Sequence, residues 1–110
     1  MDGIVSFGNK RTYDEFKNQI PNNVKELFDE LRNYCLSLGK NVIEDVRMHR
    51  IVFGKSMTFR WFADLEPQND HIIAKIQKER KEAPKIFQVK TLDDVTNLKS
   101  ILQNAYETIR

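Results

Sequence analysis

Apolar residues at Val24, Leu27, Phe28, Leu31, Tyr34, Cys35 and Leu38 recur at the i, i+3, i+4, i+7 spacing that places them on one helix face. Asn23 followed by Glu26 has the spelling of a capping box, and Gly39 stands where a helix ends in a left-handed residue. Past Gly39 the period drops to two, which marks a change from helix to sheet. Val42, Glu44, Val46 and Met48 alternate with Ile43, Asp45, Arg47 and His49, and residues 50–53 continue as strand after a tight turn. Met57, Phe59, Trp61, Ala63 and Leu65 then share one face of a longer strand, with Thr58, Arg60, Phe62, Asp64 and Glu66 on the other. Pro67-Gln68-Asn69-Asp70 supplies a turn, and Ile72, Ala74 and Ile76 form the inward set of the next strand.

The flanking segments complete the pattern. Residues 4–7, IVSF, predict a short edge strand before a polar turn at 8–11. Thr12 caps a short helix running from Tyr13 to about Ile20, on which Tyr13, Phe16 and Ile20 share a face, and Pro21 stops it. Residues 77–85, QKERKEAPK, read as an exposed charged loop, and residues 86–89 as one more short strand. Thr91 with Asp94 repeats the capping spelling ahead of a second stripe made by Val95, Leu98, Ile101, Leu102, Ala105, Tyr106 and Ile109.

Two apolar helical stripes and a half-apolar sheet have a simple solution: the helices cover one sheet face and leave the other to water. The expected fold is therefore a two-layer α+β domain. An antiparallel β-meander of about four to five strands packs on two long amphipathic helices plus a short N-terminal helix. A length of 110 residues suits one domain, with residues 1–21 as an extension to it.

Charge sharpens the picture in one place. The net charge is only +2, yet residues 46–90 carry ten Lys/Arg against five Asp/Glu. Within them, residues 47–63, RMHRIVFGKSMTFRWFA, contain no acid and surround a Gly54-Lys55-Ser56 turn. Strict alternation would put Arg47, His49, Arg50, Lys55 and Arg60 on an accessible sheet surface with Phe62 beside them. There the cations would neutralise phosphates and the ring would stack on a base. The expected function is a non-catalytic binding module for nucleic acid or an acidic protein. An alternative is homodimerisation through Ile43, Val52, Phe62 and Ile73, the apolar residues that alternation assigns to the side away from the core.

The helix LFDELRNYCLSLG, the stretch RIVFGKSMTFRWFADLEPQND and the strand HIIAKI together resemble a small uncharacterised domain family. That family occurs alone in bacterial and archaeal proteins and at the end of larger proteins with predicted nuclease-like domains. The resemblance covers residues from about Val24 to Ile76, concerns core residues and a turn, and implies a fold without assigning catalytic residues. A metal-dependent nuclease would need an acid followed by Glu-x-Lys on neighbouring strands. Glu79-Arg80-Lys81 has that spelling, with Asp64 or Asp70 ahead of it, but it lies in a charge run and not in an apolar strand.

The remaining chemistry is sparse. Cys35 falls on an apolar stripe and has no second cysteine to pair with, which suits a reducing compartment. His49 and His71 lack the companions of a zinc set, so no metal or cofactor is expected. No apolar run approaches the roughly 20 residues that span a bilayer, and the expected setting is cytoplasmic with no membrane partner.

Overall fold

Chain order in the computed structural model is α1 (Tyr13–Lys17), α2 (Asn22–Ser37), β1 (Val42–Val46), β2 (Ile51–Lys55), β3 (Arg60–Pro67), β4 (Ile72–Ile76), β5 (Lys85–Val89) and α3 (Leu92–Thr108). The structure describes residues 11–55, 60–79 and 81–109. The strand expected at residues 4–7, the Ser56 end of the expected turn, and Met57, Thr58 and Phe59 lie outside them. The five strands form one antiparallel sheet in sequential order, and the helices lie on a single side of it. This is the two-layer α+β meander that the apolar pattern predicts.

The helix ends follow local chemistry, with two departures from expectation. Thr12 and Thr91 each accept from the backbone N–H three residues on, while Glu15 and Asp94 reach back, so both capping boxes form. Asn23 does not cap: α2 begins two residues earlier than that cap implies, at Asn22, with Pro21 as the N-cap and no side-chain hydrogen bond. The proline fixes φ at −57° and presets the entry to the helix without a capping hydroxyl. Gly39 does not adopt a left-handed φ. It is needed for room, because a Cβ there would run into Tyr106 Oη, which is hydrogen-bonded to Asn41.

Packing joins the layers around Phe28, Leu31, Phe53, Phe62, Leu65, Ile72 and Leu102, all fully buried. Phe16 and Ile20 belong to the same core, so the stretch around α1 is built into the domain. Cys35 lies in this core as well, and burial pushes its thiol far up, into the inert neutral form.

A polar strap ties α1, α2 and β1 together. Tyr13 donates to Asp29, Lys17 pairs with Asp29 at 3.0 Å, and the Arg32 guanidinium sits 3.9 Å from the Tyr13 ring centroid while bonding Glu44 at 2.5 Å. Burial alone would raise the Asp29 pKa, but the Tyr13 hydrogen bond and Lys17 outweigh it and hold the carboxyl below its ordinary value. A group depressed in the folded state contributes stability above the unfolded pKa and loses it as pH falls through the folded one. Denaturant midpoints are therefore expected to decline on acidification below about pH 4. Asp29→Asn should flatten that decline; an unchanged slope in the variant would remove Asp29 from the acid response.

Candidate functional site

The hairpin carrying the sequence-predicted basic surface divides its cations between the two sides of the sheet. Phe53 pairs with Ala63, but the next pair is Gly54 with Trp61, so Phe62 is the extra residue of a β-bulge. The bulge reverses the parity beyond it. Phe62 turns to the helix side and is fully buried, its ring edge-on to Tyr106 at 5.5 Å between centroids. Trp61 takes the open side, half-buried. Phe62 is thus unavailable for stacking on a ligand, and Trp61, expected in the core, faces away from it. The signal that alternation overlooked is Gly54 inside an apolar strand, a common mark of a bulge.

The same register places Arg60 opposite Lys55. Lys55 belongs to the helix side, where Nζ donates to the Ile109 carbonyl at 2.9 Å and lies 4.6 Å from the Tyr106 ring centroid. Directly paired residues share a face, so Arg60 projects to that side too. On the opposite side Arg50 meets Asp64 at 3.4 Å, and in the β1–β2 turn Arg47 meets Asp45 at 3.0 Å beside the exposed His49. The continuous cationic surface expected from Arg47, His49, Arg50, Lys55, Arg60 and Phe62 is not formed. Phe62 is core, Lys55 and Arg60 take the helix side, and Arg47 and Arg50 are ion-paired with acids, Asp45 two residues away along the chain and Asp64 across the β2–β3 ladder. Asp64 is raised, chiefly by burial and against the pull of Arg50 and Lys75.

Ile43, Val52, Trp61, Ile73 and Ile86 provide the apolar residues of the face away from the helices, which no described element covers, with Trp61 in the place assigned to Phe62. The nuclease spelling does not fall on a strand: Glu79 lies in the β4–β5 connection, and Arg80 lies outside the described residues. Asp70 sits in the β3–β4 turn, bonded to His71 at 2.7 Å. Among the described residues, no three His, Cys, Asp or Glu side chains come together as a metal set.

A cavity among the described residues lies elsewhere. A groove of about 420 Å³ opens between α3, β5 and the β4–β5 connection. Ile76, Phe87, Ile101 and Ala105 supply its apolar lining, and Lys78, Lys85, Glu82, Ser100 and Asn104 its polar parts. Its position follows from the two flanks of α3. Lys99 and Tyr106 mark the flank toward α2, the former lying over Tyr34 and the latter bonding Asn41 just past α2. Ile101 and Asn104 mark the opposite flank, above β5. Lys78 and Lys85 are exposed and form no ion pair among the described residues. One clue to the groove was present in the chain: Ile101 extends the α3 stripe beyond the buried face and remains 36% exposed.

Comparison with protein-family models, with curated proteins and with solved structures finds no match to this chain.

Proposed function

We propose that the chain is a non-catalytic binding module for an anionic partner, and that its contact surface is the groove beside β5 instead of the β2–β3 hairpin. The observation that carries this reading is the contrast in how the cations are used. Arg47 and Arg50 are ion-paired with carboxylates, whereas Lys78 and Lys85 stand unpaired, among the described residues, on the rim of an apolar recess. The connecting segment at residues 77–85 carries four basic and two acidic residues, so its field attracts anions. A recess of this size with a few convergent polar groups is the usual form of a binding site. An apolar floor beneath ammonium groups favours a partner that joins an apolar group to a carboxylate over one that offers phosphates alone. The domain-family likeness at residues 24–76 contributes Ile76 to this groove and neither of its lysines.

Titration with an acidic peptide, Ac-Ser-Glu-Val-Phe-Val-Glu-Ser-NH2, and separately with oligothymidylate at low and moderate salt, tests the reading. The peptide should bind with salt-dependent affinity, and Lys78→Glu combined with Lys85→Glu should weaken it by about tenfold. Both lysines are exposed, so the melting temperature should stay unchanged. Binding of either probe that ignores the lysine reversals but is lost in Arg47→Glu would return the site to the hairpin.

A further inference from the structure

The strand β5 is the edge of the sheet next to the groove, and the direction of its backbone groups follows from the ladder. Gln68 N–H donates to His71 O at 2.7 Å and Gln77 N–H to Phe62 O at 3.0 Å, so residues 68/71 and 62/77 are hydrogen-bonded pairs of the β3–β4 ladder. Such pairs recur every second residue in an antiparallel ladder, which turns Ile73 and Lys75 toward β3. Ile72, Ala74 and Ile76 therefore turn toward β5, where their partners are Val89, Phe87 and Lys85. The N–H and C=O groups of Ile86 and Gln88 are left pointing outward, and among the described residues no strand pairs with them.

Side chains alternate in step with these groups. Lys85 and Phe87 line the groove, while Ile86, 64% exposed, and Gln88 lie on the other side. Natural edges are commonly protected by inward-pointing charge, proline or a bulge. The β1 edge has such protection, since Glu44 turns inward to Arg32. β5 carries such protection only at its start, where Pro84 precedes it and Lys85 takes the helix side; from Ile86 to Val89 it pairs with β4 in unbroken register and presents an exposed isoleucine.

From this geometry we infer that the partner is an extended polypeptide segment that adds as a further strand along the side of β5 that no described strand occupies. The inference rests on the binding-module reading above and specifies its ligand. The backbone of the segment hydrogen-bonds Ile86 and Gln88. Every second side chain then falls on the helix side, in the space between β5 and the Ile101–Asn104 flank of α3. An apolar side chain occupies the recess over Ile76, Phe87 and Ala105. A carboxylate two residues away shares its face and reaches Lys78 or Lys85. Strand addition uses main-chain hydrogen bonds for affinity and alternate side-chain pockets for selectivity, and this edge offers both.

The probe Ac-Ser-Glu-Val-Phe-Val-Glu-Ser-NH2 places Glu and Phe on one face in either strand direction. Ile86→Pro removes an outward N–H without breaking the β4–β5 ladder, a substitution that edge strands accept. The variant should keep its fold and lose about tenfold in peptide affinity, the scale of one main-chain hydrogen bond and its cooperative neighbours. In the unaltered chain, hydrogen exchange at the Ile86 and Gln88 amides should slow when peptide is added, a readout independent of any variant. If Ile86→Pro folds and binds the peptide as tightly as the parent, or if those amides gain no protection, strand addition is overturned. If decanoate or oligothymidylate binds through Lys78 and Lys85 while the peptide does not, the groove reading stands and the polypeptide ligand falls. A dimer in sedimentation that Ile86→Pro dissociates would assign the edge to a second copy of the chain and overturn the peptide assignment. Failure of every probe to respond to the lysine reversals would remove the groove reading itself.

Discussion

Phe62→Ala is expected to lower the unfolding free energy by about 3–5 kcal/mol, and Trp61→Ala by about 1 kcal/mol, although the two aromatics are adjacent. The large value follows from complete burial: removing the ring empties a site enclosed by both layers and takes away the edge-on contact with Tyr106. Tyr106 also packs under Lys55 and bonds Asn41, so the cavity would loosen the anchorage of the α3 C-terminal end. Urea denaturation of the two variants measures the bulge directly. Without it, Trp61 would be the core residue and the order of the two effects would reverse.

The second large effect is expected at Arg32. Its guanidinium joins three elements, bonding Glu44 of β1 and stacking on Tyr13 of α1 from its place in α2. The side chains of Arg32 and Glu44 are only 22% and 18% exposed, so truncation would strand a carboxylate in partly desolvated surroundings. Arg32→Ala is expected to cost about 2–4 kcal/mol, and Glu44→Gln in the same background should recover part of it. Arg47, 45% exposed in its pair with Asp45, provides the contrast: Arg47→Ala should change stability by less than about 0.5 kcal/mol. A double-mutant cycle on Arg32 and Glu44 that returns no coupling energy would mean that the pair contributes nothing beyond packing.

Where the chain carries strong local periodicity, the reading from sequence and the structure agree. The stripe from Val24 to Cys35 is buried, the Thr12 and Thr91 caps form, and Ile72, Ala74 and Ile76 point inward as their alternation requires. The candidate site fared differently because it depended on counting parity through residues 50–65. One inserted residue at Phe62 sends Arg60 to the side opposite Arg50, and period-two reasoning has no means of registering the insertion. The pairing of Arg50 with Asp64 is likewise invisible along the chain, since fourteen positions separate residues that the register makes diagonal neighbours.

The amino-acid order by itself determined which segments are helix and which are strand, that the strands form a meander, and that a two-layer α+β domain would bury the apolar stripes. These are consequences of short-range periodicity and capping, which act within a few residues. Tertiary structure alone decided the accessibility of charge. Cross-strand register delivered Asp64 to Arg50, whereas Arg47 found Asp45 two residues back along its own segment; the bulge exchanged Phe62 for Trp61, and the docking of α3 left a groove under Lys78 and Lys85 beside an edge that no described strand pairs with. Whether an ammonium or guanidinium group is free to meet a partner depends on what folding brings within about 4 Å of it, and for Arg50 and Lys55 that distance is set between segments remote in the chain.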